Sequence, residues 1–138
     1  MIRNNPAGDA RSPTLLAICA TVGILFAGCG ETETFRTDRP ILRVTLDEYR
    51  IVPQNVAVKA GRLKFVLQNN GRLTHNIVVQ IPPKKFRAKP VEVGRVQTMQ
   101  PREAGDPIKL DLKPGKYRLV CTIANHDDLG QTGKLEVK

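Results

Sequence analysis

Pro114 to Lys138 reads PGKYRLVCTIANHDDLGQTGKLEVK, and this stretch decides how the chain folds. Tyr117, Leu119 and Cys121 recur at a period of two, and Leu135 and Val137 resume that period after a break, which is the mark of half-buried strands. The break is filled by turn chemistry: KPGK at 113–116 precedes the first strand and LGQTG at 129–133 precedes the second.

Upstream of this stretch the same period returns in Leu42, Val44 and Leu46, in Leu63, Phe65 and Leu67, in Ile77, Val79 and Ile81, and in Ile108, Leu110 and Leu112. KAGR at 59–62 and NNGR at 69–72 separate these runs, and no segment carries a helical apolar stripe. The domain is therefore expected to be all-β. Short strands at this spacing in about 100 residues indicate a Greek-key β-sandwich. Pro82 to Asp106, with four prolines and little alternation, is expected to be a long loop carrying a short strand or a helical turn near VEVGRVQTM.

The N-terminus speaks to compartment. Arg3 and Arg11 precede Leu15 to Ala27, thirteen uncharged residues, an h-region length that is too short to span a bilayer as a helix. Residues 1–28 read as a signal peptide. The sequence LFAGCG, with Ala27 and Gly28 directly before Cys29, resembles the bacterial lipobox, which implies a lipidated Cys29 and a membrane anchor on the extracytoplasmic face, with Phe26 where Leu is usual. Residues 29–40 are polar and patternless and are expected to form a flexible tether of at most roughly 40 Å. Residues 41–138 then form one sandwich domain, in a mature chain of about 110 residues.

The chain is basic, with 22 Lys+Arg against 13 Asp+Glu. In an exported protein that balance suits an acidic partner or anionic head groups. Nucleic acid is excluded by the compartment and by the lack of an aromatic-interleaved basic motif. PPKKFRAK, Pro82 to Lys89, concentrates this charge and reads as a solvated loop or as a docking surface.

Cys19 leaves with the signal and Cys29 takes the lipid, so Cys121 has no intramolecular partner in an oxidising compartment. It is a buried inert thiol, a reactive thiol or a metal ligand. Alone, His75 on an apolar strand reads as a core histidine and a lone Cys as a small core hydrophobe. Together they read differently, because His126 follows Cys121 by five residues and Gln131 follows by five more. A strand-end Cys and a loop His converge if the loop folds back, and His75 from a neighbouring strand end completes a trigonal set. Two imidazoles, one thiolate and a weak fourth ligand (Met, Gln or a backbone oxygen) are the donors of a blue-copper centre.

PGKYRLVCTIANH followed by DDLGQTGKLEV resembles the C-terminal loop of the cupredoxins, the plastocyanin and azurin family, and THNIVV resembles their upstream His-Asn strand. The resemblance implies one type 1 copper ion held by His75, Cys121 and His126, with Gln131 at the axial position. It also implies that Asn76 braces the site through hydrogen bonds near the Cys loop. Gln131 stands where most bacterial members carry Met and is similar to the axial Gln of the stellacyanin branch. Ala124 and Asn125 replace the Pro-Gly common before that His. If Gln131 turns away, the copper is left three-coordinate or bound to the Thr74 carbonyl.

The function expected is a membrane-tethered, monomeric, periplasmic carrier of single electrons between redox partner proteins, a cytochrome or a cuproenzyme, with no catalysis of its own. A copper carrier or buffer is the alternative. It would display Met or His clusters, whereas the mature chain has Met99 alone and two His. A copper-free cupredoxin-like interaction domain would not need the complete donor set. No Ser-His-Asp, Walker or Rossmann pattern is present to suggest an enzyme.

Overall fold

The computed structural model describes residues 33–138. The signal peptide expected at 1–28 and the lipid-bearing Cys29 lie outside the described residues. Ten strands follow in order: β1 (Thr34–Thr37), β2 (Ile41–Asp47), β3 (Arg50–Val52), β4 (Asn55–Val58), β5 (Gly61–Asn69), β6 (His75–Ile81), β7 (Val91–Met99), β8 (Ile108–Leu112), β9 (Gly115–Val120) and β10 (Thr132–Val137). Among the described residues there is no helix. The strands form a six-stranded sheet, β1-β4-β10-β9-β6-β7, and a four-stranded sheet, β3-β2-β5-β8. This is the two-layer β-sandwich that the alternation predicts.

The core lies between the sheets and is supplied by the inward residue of each alternating pair. Leu42, Val44 and Leu46 of β2 and Leu63, Phe65 and Leu67 of β5 meet Ile77 and Val79 of β6, Leu119 of β9 and Leu135 and Val137 of β10, all essentially inaccessible to solvent. Each such side chain contributes about 1.5–3 kcal/mol by leaving water. Residues 31–138 form one compact unit that contains every one of these side chains, so this piece of chain carries a complete core of its own.

Two segments depart from expectation. Thr34–Thr37, inside the expected tether, pairs in parallel with β4, Thr34 opposite Asn55 and Thr37 opposite Val58. Three of its four residues are exposed, so backbone pairing at a sheet edge holds it and no alternation marks it. The segment 82–106, expected to be mostly loop, contributes the nine-residue edge strand β7. Its register against β6 shifts twice, between His75 and Ile77 and between Val79 and Gln80, which breaks the period of two. At Gly94 the two sheets close so tightly that a Cβ would stand 2.6 Å from the Leu110 side chain.

The pairing that matters for the site is β6 with β9. Val78 stands opposite Val120 and Gln80 opposite Arg118, antiparallel, so the start of β6 and the residues just past β9 share one end of the sandwich. β6 is flanked on both sides, and every residue from His75 to Gln80 is buried.

Candidate metal centre

His75 opens β6, Cys121 directly follows β9, and His126 sits midway along the loop between β9 and β10. That loop is closed at its neck, where the Cys121 N–H donates to the Gln131 carbonyl at 3.0 Å. Inside it the Gln131 N–H donates to the His126 carbonyl at 2.9 Å and the His126 N–H to the Ile123 carbonyl at 3.1 Å. These bonds fold residues 122–130 back over the strand end. The spacing of five residues and five more therefore returns both His126 and Gln131 to the side of Cys121.

The three donor atoms meet. Cys121 Sγ lies 3.9 Å from His75 Nδ1 and 3.6 Å from His126 Nδ1, and the two Nδ1 atoms are 3.3 Å apart. His75 and Cys121 are fully buried, and His126 is half-buried with its ring edge-on to His75 at 5.1 Å. Nitrogen and thiolate bonded to one metal ion at about 2.0 and 2.3 Å stand about 3.3–3.8 Å from one another in trigonal or tetrahedral arrangement. The spacing found fits that requirement. Among the described residues this is the group of His, Cys and acidic side chains placed to hold a metal.

Electrostatics favour a neutral imidazole here. Burial, and after it the neighbouring His126, holds the His75 ring below the ordinary histidine range, with weaker opposition from Glu48 and Asp47. A neutral ring keeps a lone pair on one of its two nitrogens.

Gln131 is fully buried. Its Nε2 donates to the Arg50 carbonyl at 3.0 Å, while Oε1 is a buried acceptor without a hydrogen-bond partner. Buried polar atoms normally find partners, so an orphaned amide oxygen in a metal-ligand loop fits a further donor to a cation. Tyr49, in the β2–β3 turn just before Arg50 of β3, packs against the same loop. Gly130, at φ +116°, would place a Cβ 2.8 Å from the Tyr49 carbonyl, so both the dihedral and the close approach exclude a side chain. Tyr49 itself adopts φ 58° and sets its ring edge-on to His126, centroids 5.4 Å apart.

Asn76 joins the start of β6, which carries His75, to the segment just past β9, which begins with Cys121. Its Oδ1 accepts the Thr122 N–H at 2.8 Å and its Nδ2 donates to Thr122 Oγ1 at 3.0 Å. The residue after His75 is thus tied to the residue after Cys121. Arg95 on β7 adds a donor to the same Thr122 hydroxyl at 3.2 Å while it is paired with Glu92 at 2.6 Å. Thr74, partly exposed, precedes His75, and no hydrogen bond distinguishes its carbonyl.

No protein-family model matches the chain, and no curated protein does. Solved structures do. Reduced auracyanin from Roseiflexus castenholzii superposes with a TM-score of 0.63 at 17% identity, over 74% of this chain and 99% of that one. Auracyanin A, a "blue" copper protein from Chloroflexus aurantiacus, gives 0.59 at 16% identity over 71% and 99%. Rusticyanin from Thiobacillus ferrooxidans gives 0.60 at 15% identity over 76% and 82%. The chain has the cupredoxin fold.

Within this cupredoxin fold several supporting residues had no marker in the sequence. Asn69, fully buried, accepts the Gly71 N–H at 3.0 Å and donates through Nδ2 to the Leu73 carbonyl at 2.8 Å and the Gln100 carbonyl at 3.0 Å. Glu48 accepts the N–H groups of Arg72 and Leu73, and the first of these most strongly holds its carboxyl below the usual range. Both residues shape the 70–74 segment that delivers His75. In the sequence Asn69 stood only as the first residue of the turn NNGR at 69–72, and nothing singled out Glu48.

Proposed function

We propose that this chain is a single-electron carrier built around one type 1 copper ion, held by His75, Cys121 and His126 with Gln131 Oε1 as a weak fourth donor. We further propose that it works anchored to the extracytoplasmic face of a bacterial membrane through Cys29 and exchanges electrons with partner redox proteins. The observation that carries the reading is the convergence of one thiol and two Nδ1 atoms within 3.9 Å in a buried pocket. A thiolate with two imidazoles is the donor set of blue-copper sites.

Copper bound there supplies a one-electron couple. The chain's own residues hold the donors still while charge comes and goes. Cys121 is locked by the Gln131 carbonyl, His75 by its place in a doubly flanked strand, and the two are cross-linked by Asn76 and Thr122. Burial of His75 and Cys121 keeps water from the centre, and half-buried His126 offers the short path to a partner. The anchor rests on the Cys29 motif.

The test is the visible spectrum of residues 31–138 loaded with Cu(II). An intense sulfur-to-copper charge-transfer band that vanishes in Cys121→Ser is the expected result. Copper binding with weak visible absorption would exclude the electron-carrier reading and favour a buffer.

A further inference from the structure

The loop joining β6 to β7 has no part in the metal centre. Residues 82–90 read PPKKFRAKP, with Lys84, Lys85, Arg87 and Lys89 and no acidic residue. Phe86 is 91% exposed, and Val91 at the foot of the loop is 59% exposed. Arg87, at φ 65°, sets its guanidinium 5.4 Å from the centroid of the Phe86 ring, and the Ala88 N–H closes a turn onto the Lys85 carbonyl at 3.1 Å. Among the described residues none of these four cations takes part in an ion pair.

The placement is as informative as the composition. β6 begins at His75 and ends at Ile81, so the loop leaves the opposite end of a seven-residue strand, roughly 20 Å from the metal ligands. An exposed aromatic ring with a guanidinium over it, flanked in sequence by three lysines outside any ion pair and set between prolines, has the two properties that an anionic membrane surface selects. Such a ring can enter the head-group layer while cations of this kind remain at the phosphate level on aliphatic stems. A flat acidic protein surface would use the charges but would leave the protruding ring without a pocket.

We propose that the 82–90 loop is a membrane-surface contact that inserts Phe86 into the interface of an anionic bilayer, with Lys84, Lys85, Arg87 and Lys89 against lipid phosphates. This contact turns the end carrying His126 away from the bilayer, towards soluble partners. The proposal stands on the loop alone and does not depend on copper or on lipidation of Cys29.

The experiment uses residues 31–138, which carry no lipid anchor, with vesicles of phosphatidylcholine alone or mixed with phosphatidylglycerol. Binding is expected only to the anionic vesicles and is expected to weaken as salt rises. Phe86→Ala should lower that affinity about tenfold, and Lys84→Gln and Lys85→Gln about fivefold each. The chain has no Trp, so Phe86→Trp introduces a unique fluorophore whose emission should shift to the blue on anionic vesicles. Equal binding to neutral vesicles, an unshifted emission, or undiminished binding by Phe86→Ala would each overturn the proposal. Binding to polyglutamate as tight as to vesicles, and indifferent to Phe86, would overturn it in favour of an acidic protein partner.

Discussion

Gln131 gives its amide nitrogen to the Arg50 carbonyl at 3.0 Å and keeps its amide oxygen buried and unpartnered. The hydrogen bond decides which end of the amide is held and which is free, and it depends on the β2–β3 turn being pressed under the loop that also carries His126. A side-chain oxygen is a harder donor than a thioether and favours Cu(II) over Cu(I). Gln131→Met should therefore raise the reduction potential by about 60 mV or more, a factor of ten for one electron, while the charge-transfer band persists. If Gln131→Met and Gln131→Ala both leave potential and spectrum unchanged, Gln131 is not a ligand.

Asn76→Ala removes the acceptor of the Thr122 N–H and a donor to its hydroxyl in a half-buried setting. The expected cost is about 1–3 kcal/mol, read as a lower urea midpoint with an unchanged slope. Because Thr122 follows Cys121, the charge-transfer band should also shift or broaden. Stability and spectrum both equal to the parent would show that Asn76 does not brace the ligands.

The metal-free domain should lose stability as pH falls. Burial depresses the folded-state pKa of His75, so below about pH 6.5 an unfolded chain takes up a proton that the folded chain refuses. The loss begins near the ordinary histidine pKa and grows until the folded pKa is reached; above that window the contribution is flat. Urea midpoints at about pH 8 and about pH 5 measure it, and His75→Gln should flatten the difference. A larger midpoint at the lower pH would refute the assignment.

Processing at Cys29 is checked in cells. The wild-type chain should fractionate with membranes through the several acyl chains that stable anchoring needs, and Cys29→Ala should remain as uncleaved precursor or become soluble. Unmodified wild-type protein in the soluble fraction would refute lipidation.

The sequence by itself determined the sandwich and the candidate ligands. A period of two survives in strands that turn apolar side chains to the core, so β2, β5, β6, β8, β9 and β10 are visible in the alternation of Leu, Val, Ile, Phe and Tyr. The five-residue intervals from Cys121 to His126 and Gln131 are local, and a closed loop between adjacent strands turns such spacing directly into proximity. The two outer strands of the six-stranded sheet leave a weaker trace, although a short strand near VEVGRVQTM was expected. β1 is mostly exposed and is held by backbone pairing, which any side chain permits, while β7 sends Val96 and Met99 into the core across a bulged register that breaks the alternation. Only the tertiary structure decided that His75 meets Cys121, because the register of β6 on β9 joins residues 46 apart. It alone decided that Arg50 holds Gln131 from 81 residues away and that Asn69 and Glu48 set the loop before His75. Such bonds depend on the backbone of distant segments, and a backbone carbonyl or N–H is the same group in every residue that could supply it.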